Sequence, residues 1–212
     1  MAALSPASLA TLLNLPPTSP HIAALLSSLS ASLSPADIKT YPDCVYHNYY
    51  PLSLSLCFLP DKPNKTLLLE SIDIFNPPTS PSKPKAKAIP TPTYRAPAYP
   101  VTFDFPGPLD PPRGPRLALD RRTTGREIVA GLGEPTRKGG GVGWVDVWLE
   151  WKDMEILDEK REHVRVGIMV ELRDPRGDEV VSEEMKKKGI GGIWDRAKDW
   201  EWSSVKLFRL EQ

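Results

Sequence analysis

The stretch from Leu117 to Trp151 constrains the fold of this 212-residue chain most, because start signals, stop signals and periodicity agree there. Thr124 and Glu127 have the spacing of a capping box, in which the glutamate carboxylate reaches back to the threonine amide. Gly133 supplies a C-terminal stop signal. The apolar side of the predicted helix is formed by Ile128, Val129 and Leu132. A helix of about two turns needs tertiary packing to persist, so it predicts a sheet or core beside it.

An aromatic strand follows this helix, because residues 144–151 alternate with the period of two that a half-buried strand requires. Trp144 and Trp148 share one face of that strand. All six tryptophans lie beyond residue 143, which is typical of a core in the second half of the chain. Indoles on a sheet face can instead anchor a partner protein, so Trp144 and Trp148 are candidate partner-binding residues.

A glycine-rich turn separates the helix from the aromatic strand. Arg137 and Lys138 come directly before Gly139 and Gly140, which resembles a phosphate loop in composition. A Walker loop places its lysine after the glycines and opens a helix, whereas a strand follows here. The pattern therefore favours a flexible hairpin turn, with an anion or ligand contact at these four residues as the alternative.

Two amphipathic helices are predicted at the N-terminal end. Ser5-Pro6, Ser19-Pro20 and Ser34-Pro35 each fit an N-cap serine with proline at the first helical position, and the third predicts only a short turn. The second helix carries an apolar stripe that includes Leu25 and Leu29. This stripe either covers a sheet of the same chain or docks in a groove of a partner, so Leu25 and Leu29 are further candidate partner contacts.

A β-hairpin is predicted next. Residues 45–50 are aromatic and β-branched, and leucines alternate with small polar residues from Leu52 to Phe58. This alternation places the leucines on the core face and Cys57 on the opposite face. Proline, aspartate and asparagine at 60–65 give a turn, and Leu67 to Phe75 returns as the next strand.

The segment 76–115 changes character, since more than half of the 24 prolines fall in it. Its composition favours an extended, solvated linker or loop, with a short strand between Tyr99 and Phe105. The charge-dense segment 152–163 predicts a solvated turn or short helix, and Val164 to Leu172 predicts a strand. A closing strand is predicted near residues 200–210, although its two ends alternate in different phases.

Composition excludes several function classes. The 27 basic and 27 acidic residues balance, so no charge pattern indicates a nucleic-acid partner. Three histidines and two cysteines show no spacing for a catalytic dyad or a metal site, and we expect no catalytic residue, metal or cofactor. No apolar run reaches membrane-spanning length, and no targeting signal precedes Lys39. These features predict a cytoplasmic or nuclear protein without a transmembrane segment.

Two phrases carry a resemblance to a known family. Pro51 to Phe58 followed by Leu69 to Phe75 forms one, and Thr124-Gly125-x-x-Ile128 with Leu132-Gly133-x-Pro135 forms the other. The chain resembles the phagophore-assembly-factor family, eukaryotic proteins linked to autophagy. Its second phrase is also similar to the small lipoproteins of bacterial outer-membrane assembly, which share a helix-plus-antiparallel-sheet unit. The resemblance implies that fold and a role in autophagy or membrane traffic, and it transfers no functional residue.

The sequence thus predicts an α+β protein. Its antiparallel sheet is covered by N-terminal helices and carries a short capped helix and a long proline-rich loop. Residues 1–75 form the first half, 76–115 the linker or loop, and 116–212 the half that completes the same sheet. The predicted function is a non-enzymatic intracellular adaptor that binds a protein partner. The alternative is a small-ligand-binding or hydrolytic protein with a cleft beside the Gly139–Gly141 turn, and a deep pocket with convergent polar groups would favour it.

Overall fold

The protein is described by a computed structural model that covers residues 4–30, 32, 34–62, 64–79, 92–107, 114–140, 147–158, 160–174, 194–195 and 197–210. The helices in these ranges are α1 (Pro6–Ala10), α2 (Pro20–Leu29) and α3 (Gly125–Leu132), with a 3-10 helix at Tyr50–Leu52. The strands are β1 (Asp37–Thr40), β2 (Val45–Tyr49), β3 (Leu54–Pro60), β4 (Leu67–Phe75), β5 (Val101–Asp104), β6 (Arg116–Leu119), β7 (Arg137–Gly139), β8 (Val147–Leu157), β9 (His163–Leu172) and β10 (Trp202–Phe208).

All ten described strands belong to one sheet, and every pairing between them is antiparallel. The order across the sheet is β1-β2-β3-β4-β10-β9-β8-β5-β6, and β7 also pairs with β8. The pairing of β4 with β10 therefore joins strands from the two ends of the chain. The predicted mainly antiparallel sheet with a few helices is confirmed by this topology.

One face of the sheet is apolar and lies in the core. Alternate residues along each strand reach this face and are at most 1% exposed; they include Leu54, Leu56, Ile72, Ile74, Val205, Leu207, Ile168 and Val170. Helix α1 lies against β5, β9 and β10. Ser5 and Ser19 cap α1 and α2 as predicted, since their hydroxyls accept from the amides of Ser8 and His21. In α2 the buried side chains are Ile22, Leu26 and Leu29.

The predicted hairpin and capped helix are both confirmed. β2, β3 and β4 lie within about two residues of the predicted ranges, and Cys57 is on the face opposite the buried leucines. In α3 the Glu127 carboxylate accepts from the Thr124 amide at 2.7 Å. The helix ends at Gly133, whose φ of 80° favours glycine. The buried Trp151 indole donates to the Gly133 carbonyl at 2.9 Å, so the end of the helix is attached to β8.

Two local predictions are wrong. The segment 152–157 is not a turn or helix but the second half of β8. Its pairing with β9 shifts between Trp151 and Met154, and Asp153 adopts a φ of 60° there. This bulge changes the phase of the alternation and hides it from a period-two reading. At Ser34-Pro35 no turn forms, and the chain enters β1 at Asp37, which pairs with Asn48.

A bulge also explains the closing strand. The register between β10 and β9 shifts between Trp202 and Ser204. The period-two alternation of apolar residues therefore changes phase at this bulge. Trp202 is fully buried, and its indole donates to the Asp120 carbonyl at 2.8 Å. None of the helices within the described ranges has the length and apolar character that crossing a bilayer requires.

Candidate ligand-binding pocket

The face of the sheet opposite the core carries polar and aromatic side chains, and over β1–β4 it forms a cavity of about 480 Å³. We call this cavity the tyrosine pocket. It is lined by Lys39, Tyr41, Asp43, Cys44, Tyr46, Asn48, Ser55, Asp73, Phe75 and Tyr94. Strand register explains why these residues meet: Asn48 pairs with Ser55 and Ser55 pairs with Asp73, so their side chains project from the same face of three neighbouring strands.

Tyr94 provides one wall of the tyrosine pocket from outside the sheet. It belongs to the proline-rich segment, and its ring stacks on Phe75 with centroids 4.0 Å apart and planes 20° apart. Its hydroxyl donates to the Asn48 Oδ1 atom at 2.7 Å. The neighbouring Arg95 amide donates to the Tyr50 carbonyl at 2.9 Å. The segment around Tyr94 is therefore held on the sheet by both stacking and hydrogen bonds.

Asn48 organises the floor of the pocket. It is only 7% exposed. Its Oδ1 atom also accepts from the Ser55 hydroxyl at 2.9 Å, and its Nδ2 atom donates to the Asp37 carbonyl at 3.0 Å. The amide thus links β1, β3 and the Tyr94 segment to β2. Because a buried amide with satisfied partners has one preferred orientation, Asn48 fixes the position of the wall.

The mouth of the pocket is formed by Tyr41 and Tyr46. Their ring centroids lie 5.8 Å apart with an interplanar angle of 89°. Tyr41 is 51% exposed, an unusual value for a large aromatic residue that has a neighbouring ring to pack against. Lys39 and Asp43 stand beside these rings with exposed side chains. Two perpendicular rings present both an edge and a face to whatever enters the cavity.

Asp73 is the most perturbed carboxylate of the described chain. Its side chain is 13% exposed, and its Oδ1 atom lies 3.6 Å from the Lys206 ammonium. Burial raises the pKa of Asp73 to about 6; Lys206 works in the opposite direction and Glu171 adds to the rise. The ion pair and the raised pKa are consistent, since burial penalises the charge more than one ammonium at this distance stabilises it.

The two thiols lie beside Tyr46. Cys57 pairs directly with Tyr46 across β2 and β3, and both cysteines are free. Burial is the main cause that raises the pKa of Cys44, with the Asp43 charge as the next cause, and burial likewise raises the pKa of Cys57. Burial also raises the pKa of Tyr46. A thiol with a raised pKa carries little thiolate, so these residues offer neutral contacts rather than a nucleophile.

The predicted anion contacts bind to their own chain instead. Arg137, Lys138 and Gly139 form β7 rather than the flanks of a free turn, and only Gly140, with a φ of 83°, follows before the described range ends. The Lys138 ammonium donates to Glu134 at 2.9 Å. The Arg137 guanidinium lies 3.6 Å from Glu150. These residues line neither the tyrosine pocket nor the small cavity between Leu4, Leu29 and Leu52.

The predicted partner contacts fall in three different environments. Trp148 is half-buried: a Cβ atom on Gly139 would lie 2.5 Å from its ring, and Arg137 covers it at 5.8 Å. Leu29 is 7% exposed and belongs to the core, while Leu25 is half-buried against it. Trp144 lies outside the described residues. Within the described residues, Trp148 and the two leucines do not form one exposed surface.

The tyrosine pocket itself was missed by the sequence analysis. Four tyrosines between Tyr41 and Tyr50 and the alternation of polar residues in β2 and β3 are the signals that could have indicated it. These signals do not show that Asp73 and Tyr94 reach the same place. Among the described residues no group of three or more histidine, cysteine, aspartate or glutamate side chains could hold a metal ion.

Comparisons with known proteins do not supply a function. No family model matches the chain, and neither a curated protein nor a solved structure matches it. The resemblance to the phagophore-assembly-factor family therefore stays a prediction. What the chain does has to be argued from its own side chains.

Proposed function

We propose that this protein binds a small organic ligand in the tyrosine pocket, without catalysing a reaction on it. The observation that carries the proposal is the convergence of polar groups from three strands and Tyr94 on one cavity of about 480 Å³. Pockets for small molecules typically enclose roughly 300–1,000 Å³ and combine aromatic walls with a few fixed polar groups. Asn48, Ser55 and Asp73 are such groups, and Tyr41, Tyr46 and Tyr94 are such walls.

The protonation of the two thiols near the pocket supports binding rather than nucleophilic catalysis. The thiols of Cys44 and Cys57 have raised pKa values, so neither is an activated nucleophile. His47 does not line the pocket; it packs on Phe58 with ring centroids 4.8 Å apart. We favour the tyrosine pocket over the predicted cleft beside the Gly139–Gly141 turn, because Arg137 and Lys138 are already paired with Glu150 and Glu134.

A thermal-shift screen with metabolite mixtures tests this proposal. A ligand that binds only the folded state stabilises it by RT ln(1 + L/Kd), where L is the free ligand concentration, so Tm rises with the logarithm of the ligand concentration above Kd. We expect a ligand found with the wild type to raise the Tm of Lys138→Ala equally and to have no effect on Cys44→Trp. The indole at position 44 would fill the mouth beside Tyr41 and Tyr46.

The matched variants locate the ligand. Circular dichroism is the control that has to show first that both variants fold like the wild type. If every ligand stabilises Cys44→Trp as much as the wild type, the pocket is not the binding site. If Lys138→Ala alone loses the response, the binding site lies at the glycine turn and the proposal is wrong.

Two finer features belong to the same proposal. The N-terminal helices cover the apolar face of the sheet, which is supported by the contacts of α1 with β5, β9 and β10 and by the burial of Leu26 and Leu29. The protein acts in the cytoplasm or nucleus, which is supported by the two free thiols, because reducing compartments keep cysteines unpaired.

A protein-binding adaptor is the second candidate, favoured by the exposed edge of the sheet. Among the described strands β1 pairs only with β2. Ile38 and Tyr41, 56% and 51% exposed, are the large hydrophobic residues left on the described surface. An unpaired edge can accept a strand from a partner. A pull-down with mass spectrometry, comparing wild type with Ile38→Asp and Trp148→Ala, tests it. A stoichiometric partner that only Ile38→Asp loses would place the contact at β1, and retention by both variants would exclude both surfaces.

A further inference from the structure

We propose that the ligand of the tyrosine pocket is an organic cation with a compact ammonium head, held by aromatic faces and by the Asp73 carboxylate. This inference rests on the proposed function and names the chemical class that the site selects. It follows from three independent features of the pocket: its aromatic walls, its buried carboxylate and its local charge balance.

The walls are the first argument. Tyr41 and Tyr46 stand perpendicular to each other at 5.8 Å and provide the ring faces for a ligand. On another side of the cavity the Tyr94 ring already packs against Phe75 at 4.0 Å and against Tyr50 at 4.8 Å. The face of an aromatic ring carries negative charge density and attracts cations, above all alkylated ammonium groups that water solvates weakly. Rings that meet at a right angle can contact such a head from two directions.

The carboxylate is the second argument. Asp73 lines the cavity and is 13% exposed at its side chain. Its distance of 3.6 Å to the Lys206 ammonium is longer than the roughly 2.7–2.9 Å of a charge-assisted hydrogen bond. Lys206 lies on β10 and does not line the cavity, so Asp73 keeps an oxygen for a ligand. A cation placed there would compensate a charge that burial disfavours.

The charge balance is the third argument. The charged residues that line the cavity are Lys39, Asp43 and Asp73. Two carboxylates against one ammonium leave one negative charge along the lining. An anionic ligand would meet that charge and the ring faces together, and both repel it.

Titration with choline and with its neutral isostere 3,3-dimethylbutan-1-ol tests the inference on the full chain. The two molecules share their shape and hydroxyl, and differ in the positive charge. Proton NMR measures Kd and also reports ring contact, because aromatic faces shift the methyl signal upfield. We expect choline, or the larger benzyltrimethylammonium, to bind at least about tenfold more tightly than the neutral isostere.

Two variant pairs identify the groups responsible. Tyr41→Leu removes an exposed ring face and should weaken choline binding about threefold or more, whereas Tyr41→Phe keeps the face and should bind like the wild type. Asp73→Asn keeps the size of the side chain and should weaken binding about tenfold. If Tyr41 only shapes the pocket, Tyr41→Leu should weaken choline and 3,3-dimethylbutan-1-ol equally, whereas loss of a ring face should weaken choline more.

The outcomes separate this inference from the function it rests on. If 3,3-dimethylbutan-1-ol binds as tightly as choline, or if an anionic probe such as 4-hydroxybenzoate binds the pocket more tightly, the preference for a cation is refuted. The pocket would still be a binding site. Failure of both cationic probes at millimolar concentration also refutes the preference for a cation. If in addition no metabolite gives a response that Cys44→Trp abolishes, the proposed function fails as well.

Discussion

Asn76 offers the sharpest prediction about what joins the two ends of the chain. It follows β4, is 1% exposed, and its Nδ2 atom donates to the carbonyls of Arg121 and Trp202 at 2.9 and 2.7 Å. Its Oδ1 atom accepts from the Tyr99 hydroxyl, and its own carbonyl accepts from the Arg173 guanidinium. One side chain thus connects β10, the turn before α3 and the segment before β5.

The change Asn76→Asp replaces the Nδ2 atom, a hydrogen-bond donor, by an oxygen atom that can only accept when the carboxyl group is ionised. An oxygen would replace Nδ2 and face two carbonyl oxygens, and both would lose their donor. Each buried polar group left without a partner costs about 1–3 kcal/mol, so two of them lower the free energy of unfolding by about 2–6 kcal/mol. Burial of the added charge comes on top of this and favours protonation of the new carboxyl group. The exposed Asn64→Asp is the matched control and should change stability by less than about 0.5 kcal/mol.

Urea unfolding followed by tryptophan fluorescence measures both variants, since Trp202 is buried beside the substituted side chain. We expect the midpoint of Asn76→Asp to fall with little change in the slope. A loss below about 1 kcal/mol at neutral pH would refute the reasoning, because it would mean that Arg121 and Trp202 do not depend on this donor.

Three further predictions concern Asp73 in the pocket, the pairing of Gly167 with Phe208 between β9 and β10, and helix α3. The pKa of Asp73 is about 6 in the folded protein and 3.8 ordinarily, so the folded state binds this proton more tightly than the unfolded state does. Ionisation of Asp73 therefore lowers the free energy of unfolding. This loss is complete above about pH 6 and absent below about pH 4. The free energy of unfolding of Asp73→Asn, relative to that of the wild type, should therefore rise by up to about 3 kcal/mol between about pH 4 and pH 8. Urea unfolding across this pH range measures the difference between the two proteins. A difference that does not change with pH would contradict the raised pKa. In Gly167→Ala the added Cβ atom would lie 2.1 Å from the Phe208 ring, so stability should fall by about 1–3 kcal/mol, and Gly167→Ala with Phe208→Ala should lose less than the sum of the single changes. Glu127→Ala removes the carboxylate that holds the Thr124 amide and should cost about 1 kcal/mol in thermal unfolding, whereas an unchanged Tm would show that tertiary contacts alone start α3.

The helices and strands that neighbouring residues specify could be predicted from the sequence. The capping box at Thr124 and Glu127, the serine caps of α1 and α2, and the alternation of β3 are all written within a few neighbouring residues. Their interactions need no distant partner to be recognised. This is why the hairpin β2–β4 and helix α3 were predicted within a few residues of their bounds.

The remaining elements depend on partners far along the chain. The second half of β8 was misread because the bulge at Asp153 changes its alternation, and only the pairing with β9 restores it. The ion pair of Arg137 with Glu150 depends on the pairing of β7 with β8. Neighbouring residues in the sequence do not show that pairing. The tyrosine pocket needs Tyr94 and Asp73 beside β2, and neither proximity is encoded in neighbouring residues.

The place of β10 in the sheet has a consequence for how the protein is made. β10 comes last among the described strands in chain order, yet it lies fifth across the sheet, between β4 and β9. While a ribosome still holds that segment, both neighbours expose open edges that can pair wrongly with other chains. Nascent chains should therefore depend on chaperones until β10 has emerged, and the late closure of a contact this distant should make refolding slow.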